Sequence, residues 1–328
     1  MRASPIARGF SGTAAELNGY LSMIARLTFF LALLLPAPGV AQVPDNLEAL
    51  GQHSLSLVNE ARRAEGLESL ELEDNLTEAA LAHARDMLAR DYFSHTSPEG
   101  GTVLERYLEA GGSDGRVVRE NISTCSGCRD RPDLSAVEEM HQGWMNSPGH
   151  RANILAEGLS DYGFAVVQDE KGNRYGVETF AGPGTPRGEA PDGSVEAIGP
   201  EAQMQLAAEI INRQRPDAAP IEADERLRRH VEARLPSDGL GGVSLSDIGL
   251  LDTLPADFPW LSYQVLYAEC GGCGDTPTNA DVHYFLGNWS EGNRSRKILT
   301  DGSLTSFGFV VLADGQGRKV AALLLAGD

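Results

Sequence analysis

The chain repeats itself. Leu57-Val58-Asn59 is echoed by Ile210-Ile211-Asn212, Cys125-Ser-Gly-Cys128 by Cys270-Gly-Gly-Cys273, and Val137…Trp144 by Val282…Trp289. Ile154-Leu155 returns as Ile298-Leu299, and Tyr162-Gly-Phe-Ala-Val-Val167 as Phe307-Gly-Phe-Val-Val-Leu312. Ala-Gly follows the later of the two strands in each half, at 181–182 and 326–327. Six matches in one order, at nearly constant spacing, are the signature of a duplicated domain. The fold must therefore be completed twice within 328 residues, and each copy is still long enough to bury a core of its own.

Hydrophobic periodicity supplies the elements of the first copy. Leu47, Leu50, Leu57, Val58 and Ala61 recur at helical spacing, with Asp45 placed to cap the helix. A second helix spans about 75–90. Thr102…Glu105 and Ser135…Glu138 read as capping boxes that open two more. Strands over 162–168 and 174–181 flank Asp169-Glu-Lys-Gly-Asn173, a hairpin signal. Residues 183–199 are rich in Pro, Gly and charge, lack periodicity and read as a linker. The expected organisation is a domain over 46–182, the linker, and a degenerate second domain over 200–328.

The N-terminus reads as an export signal. Arg26 precedes the apolar run Leu27–Leu35, and small residues stand at the −3 and −1 positions if cleavage follows Ala41. The segment before Met23 fits no part of a signal peptide, so translation is expected to start at Met23 and residues 1–41 to be absent from the mature chain. The apolar run is too short to span a bilayer comfortably, so no membrane-spanning segment is expected after cleavage. The formal net charge is −20, and loss of residues 1–41 takes three arginines and one glutamate and leaves −22. Such a surface repels phosphate backbones and argues against nucleic acid as a partner.

Chemistry concentrates in three segments of the first copy: Phe93-Ser94-His95-Thr96-Ser97-Pro98, Glu120-Asn121-Ile122, and Trp144-Met-Asn-Ser-Pro-Gly-His150-Arg-Ala-Asn-Ile-Leu155. With these motifs the chain resembles the CAP superfamily (cysteine-rich secretory proteins, antigen 5 and pathogenesis-related 1) in its bacterial form, fully over about 50–182 and in degenerate form over 205–328. The resemblance implies an α+β fold, an α-β-α sandwich with an antiparallel central sheet, here duplicated. It also implies a cleft holding two His and two acidic residues. His95 matches the first His, Glu120 the first acid and His150 the second His, while Ser147 stands where the second acid falls. Arg119 replaces the Gly usual before Glu-Asn, which narrows the cleft or adds a cation for an anionic ligand.

Residue chemistry alone leaves several readings of this set. Two imidazoles and a carboxylate suit Zn²⁺ or another divalent cation, with His95 and His150 as ligands and a position open to water. Glu120 orienting one imidazole suits general-base hydrolysis of a peptide, ester or cell-wall substrate. The same residues also suit a purely structural pinning of three loops. Ser94, Ser97 and Ser147 lie near the histidines, but none sits in a nucleophile-elbow pattern. The leading expectation is a secreted or periplasmic protein that binds a divalent metal or small ligand in the first-copy cleft, without established catalysis. Its rivals are the hydrolase and an envelope scaffold. Expected partners are a small molecule, a lipid or an envelope component.

The second copy keeps the repeat but not the site. Arg294 or Ser295 falls opposite His150, Glu269 is a loose match for Glu120, Glu291 lies close to the Ser147 position, and the region around Pro236-Ser237-Asp238 has no His. Cys125, Cys128, Cys270 and Cys273 form two C-x-x-C pairs. These read as two local disulfides in an exported protein, as a four-thiolate zinc site, or as a redox centre. Because the pairs persist where the His/Glu set is lost, they are expected to serve the fold. His83, on an Ala-rich face, reads as a satisfied core histidine.

Overall fold

A computed structural model describes residues 41–235 and 248–328. The leader upstream of Ala41, with Met23, and the Pro236-Ser237-Asp238 segment lie outside the described residues. The first copy runs α1 (Leu47–Ala64), β1 (Glu71–Leu72), α2 (Asp74–Arg90), α3 (Val103–Glu109), β2 (Val117–Cys125), α4 (Leu134–Asn146), α5 (Pro148–Ile154), β3 (Asp161–Gln168) and β4 (Arg174–Gly182). The Thr102–Glu105 capping box forms as its sequence predicts. Two other helix starts differ. Asn46, without a side-chain bond, occupies the α1 cap position in place of Asp45. At α4, Asp133 accepts from the Ala136 amide at 2.9 Å, so the cap lies two residues before the expected Ser135. An Asp with its carboxylate free to accept satisfies the orphan amides first.

The sheet order is β1-β3-β4-β2. Its three long strands are antiparallel, and the two-residue β1 adds to the edge in parallel, Glu71 opposite Asp161. Strand alternation sends Tyr162, Phe164 and Val166 to one face, where they pack with Leu50 and Val58 of α1, Val137 and Trp144 of α4 and Ile154 of α5. Ala165, Val167 and Val177 go to the other face, against Ala80, Ala84 and Met87 of α2. Helices on both faces make the α-β-α sandwich. At Gly163 a side chain would run into the α2 backbone at Leu76 and Thr77, so glycine permits the close approach of helix and sheet.

The second sheet repeats this topology, consistent with duplication. It follows α6 (Pro200–Arg213), β5 (Glu222–Ala223), α7 (Glu225–Glu232), β6 (Ser262–Cys270), α8 (Asn279–Glu291), α9 (Asn293–Leu299), β7 (Leu304–Ala313) and β8 (Lys319–Gly327), with order β5-β7-β8-β6. Polar anchors recur with the same partners. Asn59 donates to Leu70 O and accepts from Leu70 N, as Asn212 does with Ile221. Buried Arg62 donates to Ile154 O and Ala156 O, each at 2.8 Å, and Arg215 donates to Leu299 O and Asp301 O at 2.8 and 2.9 Å. The equivalent of Ile154 is therefore Leu299, one residue from the sequence match.

The two copies meet along backbone. Gly272 N donates to Gly115 O at 2.8 Å, Gly274 N donates to Pro183 O at 2.8 Å, and Arg318 pairs with Asp114 at 2.5 Å. The 183–199 segment is tied along its length. Gly184 bridges Cys273, Arg187 donates to Gly271 O at 2.8 Å, and Ile198 N donates to Pro277 O at 3.1 Å. No helix among the described residues is long and apolar enough to cross a membrane.

Candidate functional site

Glu120 lies on β2, opposite Thr179 of β4, with its side chain only 2% exposed. A carboxylate buried to that degree needs charged or hydrogen-bonding partners. It has three. His95 Nδ1 lies 2.9 Å from Oε1, Arg106 Nη2 donates to Oε2 at 2.8 Å, and His83 Nε2 lies 3.7 Å from Oε1. Arg106 also donates to His95 O at 3.0 Å, so one guanidinium from α3 ties the His95 loop to the carboxylate. His95 itself is more than half exposed.

His150 comes from the other side. Ser147 ends α4 and starts α5, and the Pro148 that follows fixes the first turn of the short helix carrying His150. Burial first, and the charge of His95 second, hold the His150 imidazole below the usual histidine range. Asn121, next to Glu120, donates to His150 O at 3.0 Å, and Asn153 donates to both Glu120 O and Asn121 Oδ1. Arg119 donates to Asn153 Oδ1 at 3.2 Å. It therefore braces the α5 loop against β2.

A cavity of about 470 Å³ opens beside His150. Its walls include Phe93, Ile122, Met140 and Trp144, with Ser147 and His150 as polar groups. A second, of about 530 Å³, is walled in part by His83 and Arg106, two of the partners of Glu120. Of the other sequence candidates, Ser94 Oγ accepts from Thr96 N and Ser97 Oγ from Gly101 N, both holding loop turns. His83 is satisfied at Nε2, which donates to Ser94 O at 2.9 Å, while its buried Nδ1 has no partner.

The profile of the cysteine-rich secretory protein family, CAP, matches residues 55–180. Residues 55–180 are a CAP domain. Two Bacillus subtilis (strain 168) proteins are similar to it: the uncharacterized protein YkwD, 30% identical over 125 residues, and the uncharacterized membrane protein YlbC, 38% identical over 112 residues. These alignments take in 38% and 34% of this chain, and 45% and 30% of the relatives, so the chain spans less than half the length of the curated relatives it matches. A crystal structure of an extracellular protein containing a SCP domain from Bacillus anthracis str. Ames is 27% identical, covering 41% of this chain and 40% of that one at a TM-score of 0.35.

In the CAP domain Cys125 and Cys128 are disulfide-bonded, and Cys270 and Cys273 are bonded likewise in the second copy. Each C-x-x-C loop docks on the turn of its own hairpin: Cys128 N donates to Gly172 O and Cys273 N to Gly317 O, both at 2.9 Å. Local pairing leaves no thiolates for a four-cysteine zinc site. Among the described residues no group of three or more His, Cys, Asp or Glu side chains is arranged to hold a metal ion. Glu120 is shared between His95 and Arg106.

The register of the second copy corrects two sequence matches. β6 pairs with β8 so that Val265 faces Leu324, at the places held by Glu120 and Thr179. Glu269 lies four residues further along β6, nearly half exposed and paired with Arg318. Gly292, not Glu291, occupies the place of Ser147 between the two helices, and Ser295, at the His150 place, donates to Trp289 O at 2.6 Å.

Sequence reading missed Arg106 and, more consequentially, Glu178. Glu178 lies on β4, fully buried, where Asn121 donates to Oε1 at 2.7 Å and Tyr162 Oη to Oε2 at 2.9 Å. Burial pushes its carboxyl up to about 8. The available signal was the repeat itself, which sets Glu178 against Leu323.

Proposed function

We propose that the CAP domain binds a small ligand in the cavity beside His150, with His95 and His150 available to a divalent cation at its edge. The observation that supports this is the buried Glu120 carboxylate aimed at His95 Nδ1 at 2.9 Å. That bond fixes the imidazole through Nδ1, the arrangement by which carboxylates orient histidine ligands. A cation held by two imidazoles keeps open positions and supplies Lewis acidity toward an oxygen of the bound ligand. The protein's own part is to hold both rings and to present an apolar wall.

In this reading the protein leaves the cytoplasm through residues 1–41 and acts as a secreted or periplasmic binding protein. Its ligand is a small molecule, a lipid or an envelope component, and not nucleic acid. Zn²⁺ titration by calorimetry tests the cation: wild type releases a binding heat that the His95→Ala/His150→Ala protein lacks, and identical heats overturn it. Native mass spectrometry of protein recovered from its own secretion route tests the ligand. A copurifying mass is expected in wild type and absent in Gly143→Leu. A side chain at Gly143 meets nothing within 4 Å and projects from the cavity wall. No copurifying mass, or one retained in Gly143→Leu, overturns the cavity as its site.

A further inference from the structure

A file of buried polar groups crosses the CAP domain from α1 to the candidate cleft. Ser54 Oγ and Tyr162 Oη are 2.7 Å apart, Tyr162 Oη donates to Glu178 at 2.9 Å, and Asn121 donates to the other Glu178 oxygen at 2.7 Å. Asn121 then donates to His150 O at 3.0 Å. Ser54, Tyr162, Asn121 and Glu178 are each 0% exposed. Among the described residues no cation pairs with Glu178, and the amide of Asn121 and the phenol of Tyr162 are its hydrogen-bond partners. A buried polar file without a counter-charge is expensive, and packing alone favours apolar residues of similar shape in its place.

The second copy makes that replacement. Asn212 and Asn59 share the same backbone bonds, so Ser54 corresponds to Ala207, five residues earlier in each helix. Glu73 N donates to Tyr162 O and Asp224 N to Phe307 O, which equates Tyr162 with Phe307. Sheet register equates Asn121 with Leu266 and Glu178 with Leu323. All four replacements are apolar: Ala207, Phe307 and Leu323 belong to one core cluster, and Leu266 packs against it. The polar anchors that close the fold, Asn212 and Arg215, are kept. The copy without His95, Glu120 and His150 has therefore lost this file and kept the sandwich.

We propose that Ser54, Tyr162, Glu178 and Asn121 are positioning residues for the cleft, a hydrogen-bonded file that fixes the His150 carbonyl and so sets where the His150 imidazole stands relative to Glu120. The inference rests on the reading of His150 as a cleft group. Glu178 is the two-sided member. Its two carboxyl oxygens accept from Asn121 and from Tyr162, whose hydroxyl also meets Ser54. Glutamine keeps the acceptor for Asn121, the member that leads on to the His150 carbonyl, and leucine keeps neither.

The test installs the second copy's residues in the full chain: Ser54→Ala, Tyr162→Phe, Glu178→Leu and Asn121→Leu together, with Glu178→Leu and Glu178→Gln alone. The readouts are the His150 imidazole NMR resonances, the urea midpoint and Zn²⁺ affinity. The fourfold variant is expected to stay folded while the His150 resonances move and Zn²⁺ affinity drops by about tenfold or more. Glu178→Gln should keep wild-type resonances and Glu178→Leu should shift them. Unmoved His150 resonances in folded Glu178→Leu overturn the proposal, and the Glu178 pair decides it if the fourfold variant fails to fold. Wild type that binds no Zn²⁺ removes the cation reading of the cleft, while the resonance comparison still decides the file.

Discussion

Glu178 and Leu323 hold the same register position in two copies of one hairpin, Glu178 opposite Phe164 and Leu323 opposite Phe309. Both are fully buried. One position thus carries an ionisable group in the copy with the His/Glu set and a hydrocarbon in the copy without it. The comparison separates what the sandwich needs from what the cleft needs.

The first consequence is a pH dependence. Glu178 has its folded value raised to about 8, so the folded chain holds a proton that the unfolded chain has released. Its contribution is fully present below the ordinary carboxyl range and is lost as pH rises through about 8. Between pH 7 and that midpoint, wild-type stability should fall by about 1.4 kcal/mol per pH unit at most, and the slope should flatten in Glu178→Gln. Urea unfolding at stepped pH measures it, and equal slopes in the two proteins would contradict it.

Placing the acid in the wrong copy should do harm. Leu323→Glu would bury a carboxyl beside Phe307 and Leu266, which stand where Tyr162 and Asn121 meet Glu178. A loss of several kcal/mol is expected, against a much smaller change for Leu323→Met, both read from urea midpoints.

Glu120→Leu leaves Arg106 next to a vacated carboxylate position and unties the His95 loop. Removing one partner of a buried pair costs about 3–5 kcal/mol, discounted here because Arg106 is partly exposed. The His95 resonances should sharpen toward those of a free loop. An unchanged midpoint and unchanged resonances would remove Glu120 as the organiser of this corner.

His150 should titrate below the free-imidazole range, since its lowering comes from burial and then from the charge of His95. His95→Asn removes the second cause, so the NMR midpoint of His150 should rise while staying below the ordinary value. No rise would mean that the two rings do not sense one another.

Much of the architecture is legible in the sequence because apolar periodicity and turn residues are local. The hairpins, the Thr102 capping box and the duplication all rest on neighbours in the chain. The strand carrying Glu120 escapes such reading, since Val117-Val-Arg-Glu-Asn-Ile122 puts charge where a half-buried strand shows alternation. Asp133 displaces Ser135 as the cap, two residues earlier, by accepting from the Ala136 amide. Of the candidate residues, His95 and Glu120 meet directly, while His150 is joined to them through Asn121 and Asn153. Glu178 and Arg106 act through partners distant in the chain, and no local pattern marks them.

In each copy the short edge strand near the beginning pairs with a strand of the closing hairpin, Glu71 with Asp161 and Glu222 with Ser306. A nascent chain therefore cannot seal either sheet until its hairpin has left the ribosome. The first hairpin ends at Gly182, before α6 begins at Pro200. Vectorial synthesis lets the first copy close before a rival set of strands with the same pairing order exists, which disfavours strand exchange between the copies. Refolding from denaturant offers both sets at once and removes that protection.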